Sequence, residues 1–208
     1  MVSVDSNIET SGDTSSESVP LPVKIVVAGG YAVGKTTFVG SISDIDPLTT
    51  EAALTTVSAD VDNEGDASSK TSTTVAMDFG RVALGEELVL YLFGTPGQDR
   101  FRFMWDELTR GAIGAVVILD TRRFEDSFGA VEYFEQAQVP FVIAINAFHG
   151  DLHHSIQEVR EGLDLPDEVP IVSTDARDRG RTKETLLELV EHALIKAAAN
   201  EDSFDDEF

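Results

Sequence analysis

The sequence predicts an α/β fold, with a mainly parallel six-stranded sheet, one antiparallel hairpin at its edge, and helices on both faces. Three observations support this prediction. Apolar runs alternate with segments of helical spacing along most of the 208 residues. The runs are almost continuously apolar, which is typical of strands covered on both faces. One tight turn, Gly85-Glu86, joins two of the runs directly and therefore predicts a hairpin.

The elements follow one another in a regular order. Between the first helix and the second strand, the polar stretch 44–72 has no sustained periodicity and is predicted to be a long, mobile loop. Helical spacing is centred on Phe124 to Phe134 and on Ser155 to Gly162, and a last helix carries Leu186 to Ala197. The six strands are predicted at 23–28, 74–84, 88–93, 113–119, 141–145 and 169–172, and the first helix opens over 37–42.

The segment between the first strand and the first helix matches the Walker A pattern G-x-x-x-x-G-K-[ST]. A glycine-rich turn at a helix start presents backbone N–H groups and the positive end of the helix dipole to a polyphosphate. Lys35 would reach the outer phosphates, and the Thr36 hydroxyl would ligate Mg²⁺. An ordinary strand-to-helix turn is the alternative, but strand, glycines, lysine and hydroxyl all agree with phosphate binding.

Three more segments directly follow predicted strands, at 94–98, 146–149 and 173–177. Right-handed crossovers bring such segments to one edge of the sheet, where ligands bind. Gly97 would offer an N–H to a γ-phosphate, and Gln98 would orient an attacking water. Each segment taken alone is also explained by a simple turn. Their order, together with the Walker A loop, favours a nucleotide site.

Charge and composition narrow the function further. The net charge of −23 argues against a nucleic-acid partner or an anionic membrane surface, and no apolar run is long enough for membrane insertion. There is no cysteine, hence no disulfide framework and no thiolate metal site. Residues 1–20 hold four acids and residues 200–208 hold five, with no Lys or Arg in either, so both segments are predicted to be disordered tails. The domain between them, residues 21–199, keeps a net charge of −14.

Several stretches carry a resemblance to a known family: Val75 to Arg81, Leu90 to Phe101, and Phe103 to Asp106. On these, and on the Walker A loop, residues 23–199 resemble the small Ras-like GTPases. Among them the chain is most similar to the actinobacterial "ATP/GTP-binding protein" group, encoded in operons beside roadblock-type proteins, and to the gliding-motility GTPases. The resemblance implies a P-loop G-domain that binds GTP and GDP with Mg²⁺, hydrolyses GTP slowly and acts as a signalling switch. It also implies a cytoplasmic protein that works with a roadblock-type regulator and a sensor-kinase-like complex, which would recruit it to the membrane.

The resemblance also implies residue roles. Gln98, Lys35 and Thr74 would be catalytic, and Thr36 and Thr74 would hold the metal. Thr71, Thr73, Thr55 and Thr56 are rivals of Thr74, because the preceding loop is long. Ala176 would offer its N–H to the guanine O6, and Asn146 would recognise the base. The full set of expected nucleotide contacts is Gly29, Gly30, Tyr31, Ala32, Val33, Gly34, Lys35, Thr36, Thr37, Gly97, Asn146, Asp175, Ala176 and Arg177.

Departures from the family pattern leave alternatives open. Gly94 replaces the usual metal-holding acid, so Asp78 on the adjacent strand is a candidate substitute. His149 replaces the acid that pairs with guanine, for which Asp151 is a candidate substitute. Tyr31 would crowd an external arginine finger, while Arg100 or Arg102 would supply charge in cis or simply lie in solvent. The alternatives are a pseudo-GTPase assembly module and an ATPase. Phe101, Phe103 and Trp105 are expected either to anchor a partner or to pack in the core.

Overall fold

A computed structural model of the chain describes residues 19–46, 48–56, 71–97, 99–147, 150 and 152–205. Within these ranges, seven strands and five helices follow one another, with 3₁₀ segments at Asp99–Met104 and Thr121–Ser127. The strands are β1 Leu21–Gly29, β2 Leu48–Thr56, β3 Thr71–Leu84, β4 Leu88–Gly94, β5 Ala112–Leu119, β6 Phe141–Asn146 and β7 Ile171–Thr174. The helices are α1 Lys35–Ile42, α2 Trp105–Thr109, α3 Phe128–Gln136, α4 Ile156–Gly162 and α5 Arg179–Asp205.

The strands form one sheet in the order β2-β3-β4-β1-β5-β6-β7. β1 lies at the centre, parallel to both β4 and β5, and the parallel pairing continues through β6 to β7. β3 pairs antiparallel with β4, with Leu84 opposite Leu88 across the turn at Gly85. The mixed, mostly parallel α/β fold predicted from the sequence is therefore confirmed.

The sheet separates two apolar layers. Ile25 and Val27 of β1 face the layer that contains the core residues of α1 and α5, whereas Val26 and Ala28 face the layer beneath α2, α3 and α4. The alternation follows from the period of two in a strand, and both faces are covered, so the strand reads as one apolar run. Phe134 of α3, fully buried, stacks on Trp105 in the second layer.

The predicted loop over 44–72 is wrong at both of its ends. Residues 48–56 form β2, which pairs antiparallel with β3 from Leu48 opposite Phe79 to Thr56 opposite Thr71. The sheet therefore has a seventh strand, and the predicted edge strand β3 is an inner one. The segment Leu48–Thr56 is rich in Thr, a strand-favouring residue, but it lacks a clean apolar alternation, so pairing with β3 decides its conformation. Residues 57–70 lie outside the described residues.

Smaller differences concern element ends. The last strand begins at Ile171, two residues later than predicted, and α5 continues to Asp205, so the predicted C-terminal tail at 200 begins inside this helix. α4 begins where expected because Ser155 and Glu158 form a reciprocal capping box. Residues 1–18 and 206–208 lie outside the described residues. None of the helices in the described ranges is long and apolar enough to span a membrane.

Candidate nucleotide site

The phosphate loop joins β1 to α1 and has the backbone geometry that its glycines predict. Gly34 precedes α1 with φ +111°, a region that side-chain-bearing residues rarely adopt. A Cβ on Gly34 would lie 2.6 Å from the Nδ2 atom of Asn146. Gly29 has φ +136°, and a Cβ there would collide with the carbonyl of Ile118 on the neighbouring strand. The positive φ angles favour glycine at both positions, and Gly29 is also required by the close approach of the β5 backbone.

Lys35 begins α1 and is held under the loop. Its side chain is buried, and Nζ donates to the carbonyls of Gly29 at 2.9 Å and Gly30 at 2.6 Å. Burial lowers the pKa of Lys35 to about 8, and the nearby carboxylate of Asp78 partly opposes this shift. An ammonium ion poised among carbonyls at the start of a helix is ready to meet an anionic phosphate.

Asp78 meets the next residue of the loop. Thr36 donates from Oγ1 to Oδ2 of Asp78 at 2.7 Å. Gly94 makes room for this carboxylate, because a Cβ at Gly94 would lie 3.1 Å from the Cβ of Asp78. A carboxylate from β3 therefore lies beside position 94 and in contact with the loop hydroxyl.

The segment after β4 closes on the phosphate loop. A Cβ on Gly97 would lie 2.7 Å from Nζ of Lys35 and 3.0 Å from Cα of Tyr31. Thr95, in the same turn, buries a hydroxyl for which the described residues offer no hydrogen-bond partner. Gln98, the predicted water-orienting residue, lies outside the described residues.

Asn146 ties three segments of the site together. Its Nδ2 donates to the carbonyl of Val33 in the phosphate loop at 2.9 Å, and its Oδ1 accepts from the N–H of Ala176 at 3.1 Å. The N–H expected to meet guanine is therefore already bonded to Asn146 in this structure. Beside it, Arg177 donates to Asp175 twice from its guanidinium and once from its backbone N–H, and these hydrogen bonds lower the pKa of that carboxyl to about 2. His149 and Asp151 lie outside the described residues.

Residues of four predicted segments are brought together at one sheet edge: 29–36, 97, 146 and 175–177. Thr37 follows on an exposed side of α1. Thr74 is not brought there: its Cα lies four residues along β3 from Asp78, about 13 Å of extended strand. The rivals Thr71 and Thr73 lie still earlier on β3, and Thr55 and Thr56 lie on β2.

The aromatic residues of the segment after β4 divide between core and surface. Phe101 and Trp105 are buried, as expected of residues that pack in the core, whereas Phe103 is 64 % exposed. Arg102 lies over the ring of Trp105 and against Gly129, and so packs on α3. The side chain of Arg100 lies outside the described residues.

Sequence reasoning missed the segment that follows β5. Arg123 donates from Nη1 to the carbonyl of Tyr31 at 3.2 Å and forms an ion pair with Asp126. Asp126 in turn lies against Gly30, where a Cβ would be 2.6 Å from the Cβ of the aspartate. The position of this segment was the available signal, because it follows a buried parallel strand at the same sheet edge.

The donor set suits magnesium. Mg²⁺ prefers a few hard oxygen ligands and keeps several waters, and the Thr36 hydroxyl and Asp78 carboxylate are oxygens already in contact. Next to these two oxygens, Gly97 lies so close to Lys35 and Tyr31 that only a residue without a side chain fits. Among the residues that the structure describes, no group of three or more His, Cys, Asp or Glu suggests any other metal centre.

Together, this fold and this loop define a nucleotide-binding P-loop protein. The chain belongs to the family described as conserved hypothetical ATP binding protein, which it matches over residues 27–196. It is 30 % identical over 126 residues to an uncharacterized protein of Methanocaldococcus jannaschii, covering 60 % of this chain and 69 % of that one.

Solved structures agree on the fold. The G domain of the T. maritima FeoB iron transporter matches with a TM-score of 0.55 and 19 % identity, over 85 % of this chain and 99 % of that domain. The apo cytosolic domain of the same transporter matches with a TM-score of 0.59 and 18 % identity, over 83 % of this chain. This chain spans only 64 % of the length of that cytosolic domain. At such identities the likeness concerns the fold alone.

Proposed function

We propose that this protein binds GTP with Mg²⁺, hydrolyses it slowly to GDP, and acts as a molecular switch. The observation that carries the proposal is the contact between Thr36 and Asp78 beside the buried ammonium of Lys35. A hydroxyl, a carboxylate and an ammonium at a glycine-rich loop are the groups needed to hold a metal-bound triphosphate.

In this proposal, Thr36 and Asp78 hold the magnesium ion, which neutralises charge on the outer phosphates when bound. Asp78 takes the place of the acid missing at position 94. Thr74 would add a second hydroxyl only after β3 or the segment before it rearranges around the triphosphate, as switch segments do.

Hydrolysis would transfer the γ-phosphoryl group from GTP to a water molecule. A water oxygen bonds to the γ-phosphorus, and the bond from that phosphorus to the bridging oxygen breaks. The bridging oxygen keeps the electron pair and becomes a terminal oxygen of GDP, while the water proton passes to the released phosphate or to solvent. Lys35 offsets the charge on the phosphates, and Gln98 orients the water.

The choice of base has two candidates. GTP is favoured by Asn146, which joins the phosphate loop to the turn at Asp175 and Ala176. ATP is favoured by the family description and by His149 in place of an acid. Without that acid, the guanine donors lose a partner worth about 1–3 kcal/mol, so we expect GTP to outcompete ATP by a modest margin.

Partners complete the proposal. A roadblock-type protein would bind across the switch segments in one nucleotide state, and Phe103 is an exposed candidate anchor in this region. A sensor-kinase-like complex would recruit the pair to the membrane. Equal recovery of the roadblock-type protein by GDP-loaded and GTP-loaded chain would favour the alternative of an assembly module whose output ignores hydrolysis.

The test begins by identifying the nucleotide that co-purifies with the chain and measuring turnover of GTP and ATP with Mg²⁺. Lys35→Ala should abolish binding of both nucleotides, since Lys35 is the only positively charged residue in residues 29–36. His149→Asp should raise the preference for GTP. Equal affinity for ATP and GTP, unmoved by His149→Asp, would contradict the guanine assignment, and unchanged affinity in Lys35→Ala would contradict the site.

A further inference from the structure

The segment Thr121–Ser127 packs directly on the phosphate loop. Asp126 lies against Gly30, and the cavity between the segment and Gly30, Tyr31 and Val33 is about 10 Å³. Such a cavity holds no more than one water. The segment therefore forms one wall of the loop and is not a distant surface feature.

The helical backbone of this segment is interrupted at the second of two neighbouring arginines. Arg122 is engaged by Asp120 through both Nε, at 2.9 Å, and Nη2, at 2.7 Å. Arg123 has φ −136° and ψ 53°, outside the helical region, between residues in helical turns. As a result, the guanidinium of Arg122 stays beside Asp120, while the guanidinium of Arg123 reaches the phosphate loop.

Arg123 is held at the loop by exchangeable contacts. Its Nη1 donates to the carbonyl of Tyr31 at 3.2 Å, and its Nη2 pairs with Asp126. The side chain is 48 % exposed, and an ion pair with that exposure is weak. A phosphate group can replace these contacts, because a planar guanidinium donates two parallel hydrogen bonds to phosphate oxygens.

From this geometry we propose that Arg123 is a catalytic residue, a guanidinium supplied in cis that leaves Asp126 for the outer phosphate of the bound triphosphate. There it stabilises the charge that builds as the bond between the γ-phosphorus and the bridging oxygen breaks and the water oxygen adds. The atoms and proton balance as in the proposed hydrolysis, on which this inference rests. Lys35 is the only base within the loop itself, and Arg123 adds the second positive charge.

The test compares Arg123→Ala and Arg123→Lys with the natural chain in single-turnover hydrolysis of GTP and ATP. Affinities for the diphosphate and for a non-hydrolysable triphosphate are measured in parallel. Arg110→Ala is the matched control, since Arg110 is exposed and pairs with Glu107 on α2. We expect the rate of Arg123→Ala to fall about a hundredfold, the size typical of losing one donor to a developing charge. The diphosphate affinity should stay within about threefold, Arg123→Lys should recover part of the rate, and Arg110→Ala should match the natural chain.

Two results would overturn the inference. The first is a rate for Arg123→Ala that stays within about threefold of the natural chain. The second is equal weakening of diphosphate and triphosphate binding, which would mean that Arg123 only supports the loop. If the natural chain binds nucleotide without hydrolysing it, the proposed hydrolysis fails by itself. Arg123 is then judged by binding: a loss of about tenfold confined to the triphosphate supports contact with the outer phosphate, and equal losses overturn it.

Discussion

Thr36 donates a hydrogen bond from its hydroxyl to the carboxylate of Asp78 at 2.7 Å. The two residues lie 42 positions apart, one on the first turn of α1 and the other on β3. The pairing of Phe79 with Phe93 sets Asp78 beside Gly94, whose missing side chain leaves room for the carboxylate. A loop hydroxyl and an acid are therefore in contact although the acid lies on β3 and not at position 94, at the end of β4.

Nucleotide affinity should depend on pH through Lys35. Burial lowers the pKa of this ammonium to about 8 in the free protein, and a bound phosphate would raise it again. Below pH 8 the group is charged in both states, so affinity is flat. Above pH 8 the free protein must take up a proton to bind, so GDP affinity should fall by up to about tenfold per pH unit. Calorimetric titrations from pH 6.5 to 9.5 measure this slope.

Lys35→Arg is the control, because its guanidinium stays charged throughout this range. Its affinity, whatever its absolute value, should lose the decline above pH 8. An equal decline in both proteins would assign the titration to another group.

Asn146→Ala should weaken nucleotide binding. The substitution leaves the Val33 carbonyl and the Ala176 N–H without their partner, and both are buried in the site. A loss of about 1–3 kcal/mol corresponds to a fall in affinity between about fivefold and about 150-fold. Competition with a fluorescent GDP measures it. Asn200→Ala, at an exposed position near the end of α5, should bind like the natural chain.

Gln98→Leu should slow turnover by at least about tenfold and leave GTP affinity unchanged, because Gln98 would act on the water and not on the bound ground state. Single-turnover hydrolysis and equilibrium binding separate the two effects. Gln136→Leu, on the exposed side of α3 where Gln136 bonds to Glu132, should leave both unchanged. Turnover indifferent to Gln98→Leu would favour the non-hydrolysing assembly module.

Phe134→Ala should destabilise the fold by about 3–5 kcal/mol, because this fully buried ring stacks on Trp105 and its removal leaves a cavity. Phe103→Ala is the matched control: the ring is exposed, and its loss should change the free energy of unfolding by no more than about 0.5 kcal/mol. Urea unfolding compares the two. A similar loss in both would mean that Phe103 is not a free surface residue.

The sequence was a good guide wherever local rules decide the structure. The run before Gly29 is apolar enough to be a buried central strand, and the loop that follows needs its glycines for backbone reasons alone. The hairpin at Gly85 and the start of α4 at Ser155 follow equally from turn and capping chemistry. In each case, residues close in sequence carry the whole signal.

The failures occurred where distant contacts decide the structure. β2 was missed because its polar sequence becomes a strand only by pairing with β3. The position of Arg123 after a buried strand was a signal in the sequence, but its contact with Tyr31 depends on the packing of its segment on the phosphate loop, which the sequence does not state. Asp78 was foreseen as a substitute acid, but its contact with Thr36 depends on strand register, which the sequence does not state.

The central claim is that Thr36 and Asp78 form the magnesium end of a nucleotide site, and the Mg²⁺ dependence of GDP binding tests it most directly. Affinity is measured with excess Mg²⁺ and with a chelator, for the natural chain, Asp78→Asn and the control Asp167→Asn, whose side chain is 99 % exposed. Mg²⁺ should tighten GDP binding by at least about tenfold in the natural chain and the control, and by much less in Asp78→Asn. The same Mg²⁺ enhancement in all three proteins would contradict the account.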